Sequence, residues 1–445
     1  MRLTIRLGIV ALFALVVAGA AFAGLAVGRR DSGNQQAAGP GAPASPAITT
    51  DSQIESYLAR IQRLPDQADG YAGLGAAYLQ KARESGDPSY YGRAEAALEK
   101  SLSLDAAHAD AYVQLGVLAL AQHQFEAGLE YGRRALTINP YESAALGVIG
   151  DAQVELGRYD EAQQTFAAML DLRPDLASFA RMSYIRELRG DLPGAIELMQ
   201  RAVIGATGSE AHAWTQVQLG HLYFNSNDFD AALKEYERTL FQRPAYLHAK
   251  AGVARVKAAQ EDYAGAAEIY ESITTTLPLP EYVIALADVQ RAAGDEAAAQ
   301  ATEALVETID RLFRGNGVNT DVEMALFHAD RAIDIETTVE DARRALSSRP
   351  GIQGWDALAW ALFQAGRYDE ALAASDQALR LGSRDPLMRY HAGMIALALG
   401  QTSRATSELQ LAVSQNPRFS VRYADAAAET LRQLDQNAST NAAGR

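Results

Sequence analysis

Prolines recur along this chain at a spacing of 34 residues. Pro140 and Pro174 are 34 residues apart, and Pro244 and Pro278 are separated by the same interval. The intervals from Pro174 to Pro244, from Pro278 to Pro350 and from Pro350 to Pro417 are 70, 72 and 67 residues, each close to twice this length. A period of 34 residues is that of a repeated helix–turn–helix unit. The 445 residues are therefore predicted to form a stack of helical hairpins, and not the three or so globular domains that their number alone would suggest.

Residues of similar size fall at the same position of successive units when the units are aligned on these prolines. Glycine occupies position 8 at Gly116, Gly150 and Gly220, and alanine occupies position 20 at Ala162 and Ala232. Small residues there allow the helices to approach closely, and larger residues at neighbouring positions fill the remaining space. Proline at position 32 has no N–H group and ends the second helix. One hairpin cannot bury its apolar face alone, so stacking must supply the core.

This pattern resembles that of the tetratricopeptide repeat (TPR) family over residues 51–435, which correspond to about ten units. The resemblance implies an all-α fold, a right-handed superhelical solenoid of helix–turn–helix units with a concave groove. The match is poorest near residues 300–350, where the sequence RGNGVNT interrupts an acidic helix. We expect an irregular unit in that region.

The amino terminus contains an uncharged, mostly apolar run from Leu7 to Gly28, preceded by two arginines. A run of this length can cross a hydrocarbon core about 30 Å thick as a helix. Small residues at Ala21 and Ala23 also fit a signal peptide that is cleaved after Ala23. The apolar run continues beyond that site, which favours an uncleaved signal anchor within residues 1–30. If Arg2 and Arg6 stay on the cytoplasmic side, both interpretations put the repeats outside the cytoplasm of a bacterial cell. The repeats are then at the cell membrane if the segment is an anchor, and periplasmic or secreted if it is cleaved.

Two segments have the composition of disordered chain. Residues 31–50 are rich in Ala, Gly, Pro and Ser and have no hydrophobic period, so they are predicted to be a linker. Residues 436–445 are predicted to be a disordered tail.

Charge and cysteine content exclude several classes of function. The chain has no cysteine, which excludes disulfides, thiolate metal sites, cysteine catalysis and a lipid-modified amino-terminal cysteine. The net charge is −15, and residues 1–30 carry four arginines and no acid, so the repeats are more acidic still. Such a field repels polyanions, and nucleic acid is not expected as a partner.

No motif of a known catalytic or cofactor-binding site is present. The seven histidines are scattered and include no pair at helical spacing that could hold a metal. The sequence therefore predicts a protein that is not an enzyme and that needs no cofactor or metal.

In the TPR family the first helix of each unit lines the groove, chiefly at positions 2, 5, 6 and 9. Applied to this chain, the resemblance predicts a groove that binds a partner. Its residues are Arg181, Tyr184, Trp214, Gln218, His221, Arg255, Asp288, Asp356, Trp360, Tyr390 and His391. Aromatic and arginine side chains often dominate binding energy at interfaces. The alternative, that Trp214, Trp360 and Tyr390 pack between units, stays open.

A strip that is predicted to be locally cationic and aromatic is formed by Arg181, Tyr184, Trp214, His221 and Arg255. The strip should prefer an acidic or carboxylate-bearing apolar segment. Neither Arg181 nor Arg255 falls at a packing position, and His221 would titrate near pH 6.5 if it were exposed.

The function that follows is a non-catalytic, membrane-tethered, extracytoplasmic scaffold that binds a protein or peptide segment in its groove. An accessory module of a complex that assembles or exports an envelope polymer, such as a cell-wall glycan, is the alternative. The oligomeric state stays open.

Overall fold

The computed structural model describes residues 49–204 and 210–443, and their regular secondary structure is entirely α-helical. The predicted all-α class is confirmed. The helices are α1 (Thr50–Arg63), α2 (Ala68–Ser85), α3 (Ser89–Leu104), α4 (Ala109–Ala121), α5 (Phe125–Ile138), α6 (Ser143–Glu155), α7 (Tyr159–Leu172), α8 (Leu176–Leu188), α9 (Leu192–Ile204), α10 (Glu210–Asn225), α11 (Phe229–Gln242), α12 (Leu247–Ala259), α13 (Tyr263–Thr276), α14 (Pro280–Ala292), α15 (Glu296–Gly315), α16 (Asp321–Arg331), α17 (Ile335–Ser348), α18 (Ile352–Gln364), α19 (Tyr368–Ala378), α20 (Pro386–Ala398), α21 (Thr402–Gln415) and α22 (Ala424–Ala443).

Helices α2 to α21 pack as ten consecutive hairpins, in agreement with the period of the prolines. Helix α1 packs on the first hairpin and α22 on the last. First helices also contact neighbouring hairpins, so the core runs between units as the stacking argument requires. The junction between α14–α15 and α16–α17 is looser and includes the ion pair of Arg331 with Glu303.

Small residues allow this close packing. A Cβ added to Gly150 would lie 2.1 Å from a ring carbon of Phe166, and one added to Gly220 would lie 2.4 Å from a ring carbon of Tyr236. Ala232 is completely buried beside that tyrosine. The large residue at position 24 therefore fills the space that glycine at position 8 leaves open.

The turn inside a hairpin contains a residue in the left-handed region. Gly157 has φ 70° and Gly400 has φ 70°, a conformation that costs glycine little. His123 and Glu261 occupy the equivalent turns with φ 58° and 66°. Packing of the hairpin thus imposes the left-handed conformation even on residues for which it is unfavourable.

The irregular region keeps the hairpin arrangement with altered helix lengths. Helix α15 has 20 residues, whereas α16 has only 11. Ala332 and Asp334, between α16 and α17, have φ 52° and 39°. The poor sequence match thus reflects a shortened hairpin and a strained turn.

The chain end differs from the expectation. Helix α22 continues to Ala443, so residues 436–443 are helical where a disordered tail was predicted. No glycine or proline interrupts the alanine-rich sequence before that point.

Successive turns of the superhelix contact each other. The hydroxyl of Tyr159 accepts a hydrogen bond from the N–H of Ile352 at 2.7 Å, and the side-chain amide of Asn416 donates to the carbonyl of Phe224 at 2.8 Å. These bonds join residues 193 and 192 positions apart, and others at the same boundary join residues 190 to 196 apart. We call this boundary the seam. It holds one turn against the next.

None of the helices within residues 49–204 and 210–443 is both long enough and apolar enough to cross a membrane. The predicted anchor from Leu7 to Gly28 and nearly all of the predicted linker lie outside the described residues.

Candidate functional site

A cavity of about 540 Å³ lies inside the superhelix. The first helices of five consecutive hairpins, α6, α8, α10, α12 and α14, form one wall. The opposite wall comes from the next turn. It consists of Asp385 and of residues from the non-helical stretch 416–423, which we call the closing segment. The contacts between turns therefore narrow the groove into a cavity that stays partly open to solvent.

Most of the predicted groove residues line this cavity. They are Arg181, Tyr184, Trp214, Gln218, His221, Arg255 and Asp288. They come together because the inner positions of successive first helices face the same axis. The repeat register was therefore sufficient to find this wall. Whether these residues bind a partner stays a prediction.

Arg181 is a packing residue, contrary to the expectation. It is 4% exposed, and its Nε and Nη2 atoms donate to the Asp151 carboxylate at 3.0 and 2.9 Å. Its Nη1 also donates to the carbonyl of Ala177 at 3.2 Å. A Cβ added to Gly147 would lie 2.9 Å from the guanidinium carbon. The charge of Arg181 is thus neutralised between two hairpins, and its removal would leave Asp151 buried without a counterion.

His221 is not a pH sensor near neutrality. Its Nδ1 lies 2.8 Å from the hydroxyl of Tyr236, and burial lowers its pKa to about 3. His248 pairs in the same way with Tyr282 at 2.6 Å, and burial lowers its pKa to about 4. Both imidazoles are neutral at pH 7. The exposure on which the expected titration of His221 near pH 6.5 depended is therefore absent.

Arg255 is the predicted arginine that faces the cavity without a carboxylate bonded to it in the described chain. Its guanidinium carbon lies 3.8 Å above the Phe224 ring, and Nη2 donates to Oδ1 of Asn225 at 3.3 Å. Asp288 is fully engaged, since it accepts from Arg422 at 2.9 Å and from Arg331 at 3.1 Å.

Asp356, Trp360, Tyr390 and His391 do not reach the cavity. All four are less than 6% exposed. Trp360 stacks on His391 with ring centroids 4.1 Å apart, and Asp356 lies 3.1 Å from Nδ1 of His391. Tyr423, just after the repeats, stacks on Tyr390 and covers the inner face of these hairpins. The alternative of packing between units is the observed arrangement for Trp360 and Tyr390.

Glu187 and Glu281 are two of the five acids in the cavity lining that the repeat positions did not predict. Glu187 accepts a hydrogen bond from the Asn225 amide at 3.0 Å, and burial raises its pKa to about 7. Neither carboxylate oxygen of Glu281 accepts a hydrogen bond from another described residue, and burial raises its pKa to about 8. Glu281 occupies position 1 of its unit, one residue before the positions considered.

The predicted cationic character of the strip is wrong. Six acids line the cavity against three arginines. The acids are Asp151, Glu155, Glu187, Glu281, Asp288 and Asp385, and the arginines are Arg181, Arg255 and Arg418. The acids come mainly from positions that the groove pattern does not include. The preference for an acidic partner therefore loses its physical basis.

The described residues contain no group of three histidines or acids that could hold a metal ion. The aromatic, aliphatic and acidic lining can instead exclude water and bind part of an extended chain.

Two family models match the chain, and both describe the tetratricopeptide repeat. One matches residues 119–182, and the other matches residues 82–143, 217–278 and 357–419. The matched segments together span slightly more than half of the chain. A comparison with curated proteins gives no match.

Several solved structures are similar. Human IFIT1 bound to m7Gppp-AAAA is 16% identical over 74% of this chain and 76% of its own, with a TM-score of 0.47. Yeast Tom70 is 11% identical over 88% and 93%, with a TM-score of 0.37. TTC0263, a TPR protein of Thermus thermophilus, is 19% identical over 41% and 94%, with a TM-score of 0.36. These similarities carry no information on what the chain binds.

Proposed function

The chain belongs to the tetratricopeptide repeat family, and we propose that it is a non-catalytic scaffold that binds a segment of a partner protein in the cavity. The observation that supports this most directly is the cavity itself, since it is lined by side chains from five successive first helices. Its volume of about 540 Å³ suits a few side chains of an extended segment.

The lining favours a peptide for a second reason. Trp214, Tyr270 and Tyr282 supply aromatic surface, and Gln218 and Asn225 supply amide groups. Aromatic side chains contribute most of the binding energy in many protein interfaces, whereas amides can pair with the backbone of a bound segment.

A photo-crosslinking experiment tests this proposal. The crosslinking amino acid p-benzoylphenylalanine replaces Gln218, which lines the cavity and is half-buried, and in a matched variant it replaces Glu237, which is exposed on the second helix α11. We expect one partner segment to be joined to position 218 and not to position 237, as identified by mass spectrometry of the adducts. Equal adducts from both positions, or none from position 218, would show that the partner does not use the cavity.

We further propose that residues 1–30 anchor the scaffold in the cell membrane, with the repeats outside the cytoplasm. The apolar run from Leu7 to Gly28 supports this, because it continues beyond the candidate cleavage site. The full-length chain should then resist carbonate extraction from membranes. A mature protein whose first residue is Gly24 would contradict the anchor.

A further inference from the structure

The arginines of the cavity are already engaged within the protein. Arg181 pairs with Asp151, and Arg418 pairs with Glu261 and Asp425. Arg255 stacks on an aromatic ring and donates to an asparagine. An acidic ligand would therefore compete with contacts that the folded chain already makes.

The acids of the cavity differ in the donors and counterions that their carboxylates have. Asp151 and Asp288 are paired with arginines, and Asp385 accepts two backbone N–H groups at the start of α20. Glu187 has only the neutral amide of Asn225 as a donor. No other residue within 49–204 and 210–443 donates a hydrogen bond to Glu281, although both its carboxylate oxygens are buried. A buried carboxyl without a partner carries a desolvation cost that a cationic ligand would offset.

The closing segment shows which kind of chain the interior of the superhelix holds. It carries the sequence RFSVR at residues 418–422, in which apolar residues stand between two arginines. Arg422 donates to Asp288 at 2.9 Å, and Arg418 pairs with Glu261. Phe419 and Val421 line the cavity and pack against apolar residues of the superhelix. Phe419, Val421 and Arg422 of this segment are thus held within the same acidic interior, whereas the partner of Arg418 is exposed.

We propose that the occupant of the cavity is an extended protein segment with a lysine or arginine flanked by apolar or aromatic side chains, and that its cation binds Glu281. This rests on the proposed function, because it specifies the chemistry of the segment that the scaffold holds. The aromatic rings of Tyr270 and Tyr282, which also line the cavity, receive the flanking side chains.

Three fluorescein-labelled nonapeptides test the proposal. The first is GSLYKYLSG, and the other two carry acetyl-lysine or glutamate in place of the central lysine. Binding to the purified full-length chain is measured by fluorescence anisotropy at physiological salt and pH 9, where Glu281 is ionised and the lysine of the peptide still carries its charge. We expect the lysine peptide to bind about tenfold more tightly than the acetyl-lysine peptide or better, because a charge-assisted hydrogen bond is lost in the latter.

The matched protein variants are Glu281→Gln and Glu237→Gln. The first keeps the shape of the side chain in the cavity, and the second makes the same change on the exposed second helix α11. Glu281→Gln should weaken the lysine peptide about tenfold and leave the acetyl-lysine peptide unchanged. Glu237→Gln should change neither affinity.

Each outcome bears on the proposal. Equal affinities for the three peptides, or a lysine preference that survives Glu281→Gln, would overturn it. Failure of all three peptides to bind would overturn it as well. The proposed function is judged separately, since crosslinks from position 218 to a segment without a basic residue would keep the scaffold and remove only the charge preference.

Discussion

The seam makes a quantitative prediction about two glycines in equivalent turns. Gly157 and Gly366 have φ 70° and 72°, so alanine suffers the same left-handed strain at both positions. A Cβ at Gly157 would lie 2.7 Å from the carbonyl oxygen of Pro350 on the next turn, whereas a Cβ at Gly366 would meet nothing within 4 Å. Gly157→Ala should therefore weaken the seam, and Gly366→Ala should not.

The magnitude follows from two terms. The left-handed conformation costs a residue other than glycine about 1–2 kcal/mol, and this applies to both variants. Overpacking adds about 1–3 kcal/mol at Gly157 alone, because a backbone atom cannot move aside as a flexible side chain can. We therefore expect Gly157→Ala to lose about 2–5 kcal/mol of stability and Gly366→Ala about 1–2 kcal/mol.

Hydrogen exchange with mass spectrometry locates the loss, and guanidinium unfolding measures its size. The N–H of Ile352, which donates to Tyr159 across the seam, should exchange faster in Gly157→Ala and at the wild-type rate in Gly366→Ala. Equal loss of stability in the two variants, with Ile352 still protected in both, would show that the contact between turns contributes nothing.

Two further predictions concern packing and pH. Gly150→Ala should destabilise the chain by about 1–3 kcal/mol, because its Cβ would overlap the ring of Phe166. The same change at exposed Gly92 should stabilise the chain by up to about 1 kcal/mol, because alanine has the higher helix propensity. Denaturant unfolding should therefore show changes of opposite sign for the two variants. Stability should also fall as the pH rises from 6.5 to 8.5, because the folded chain keeps the proton of Glu281, whose pKa is raised to about 8, after the unfolded chain has lost it. Over this pH range the melting temperature of Glu281→Gln should fall less than that of the wild type. An equal fall in both proteins would show that the proton of Glu281 does not cause the loss of stability.

The hairpins could be predicted from the sequence because their determinants are local. Gly150 and Phe166 lie 16 residues apart and meet inside one unit, so their repeat positions imply their contact. The inner wall of the cavity followed for the same reason, since Trp214 and Gln218 occupy repeat positions that face the axis.

The rest depends on contacts that the repeat period does not encode. The closing segment reaches Asp288 from a position 134 residues further along the chain, and no periodicity points to it. Tyr423 of the same segment covers Trp360 and Tyr390. Residues at the equivalent positions of earlier repeats line the cavity, so repeat position alone could not separate the two cases. The pairing of Arg181 with Asp151 could not be predicted either, because an arginine at this repeat position can face the groove or form a buried ion pair.

The seam also sets the order in which the molecule can be completed during synthesis. A solenoid with contacts only between neighbouring hairpins could fold behind the ribosome one hairpin at a time. Here the wall formed by α6 to α14 is made first, and the closing segment up to Val421 is translated more than a hundred residues after the end of α14. Until then its acids and aromatic rings face open solvent. The cavity is therefore among the last parts of the protein to exist, and a nascent or truncated chain that lacks the closing segment would present the wall without the enclosure.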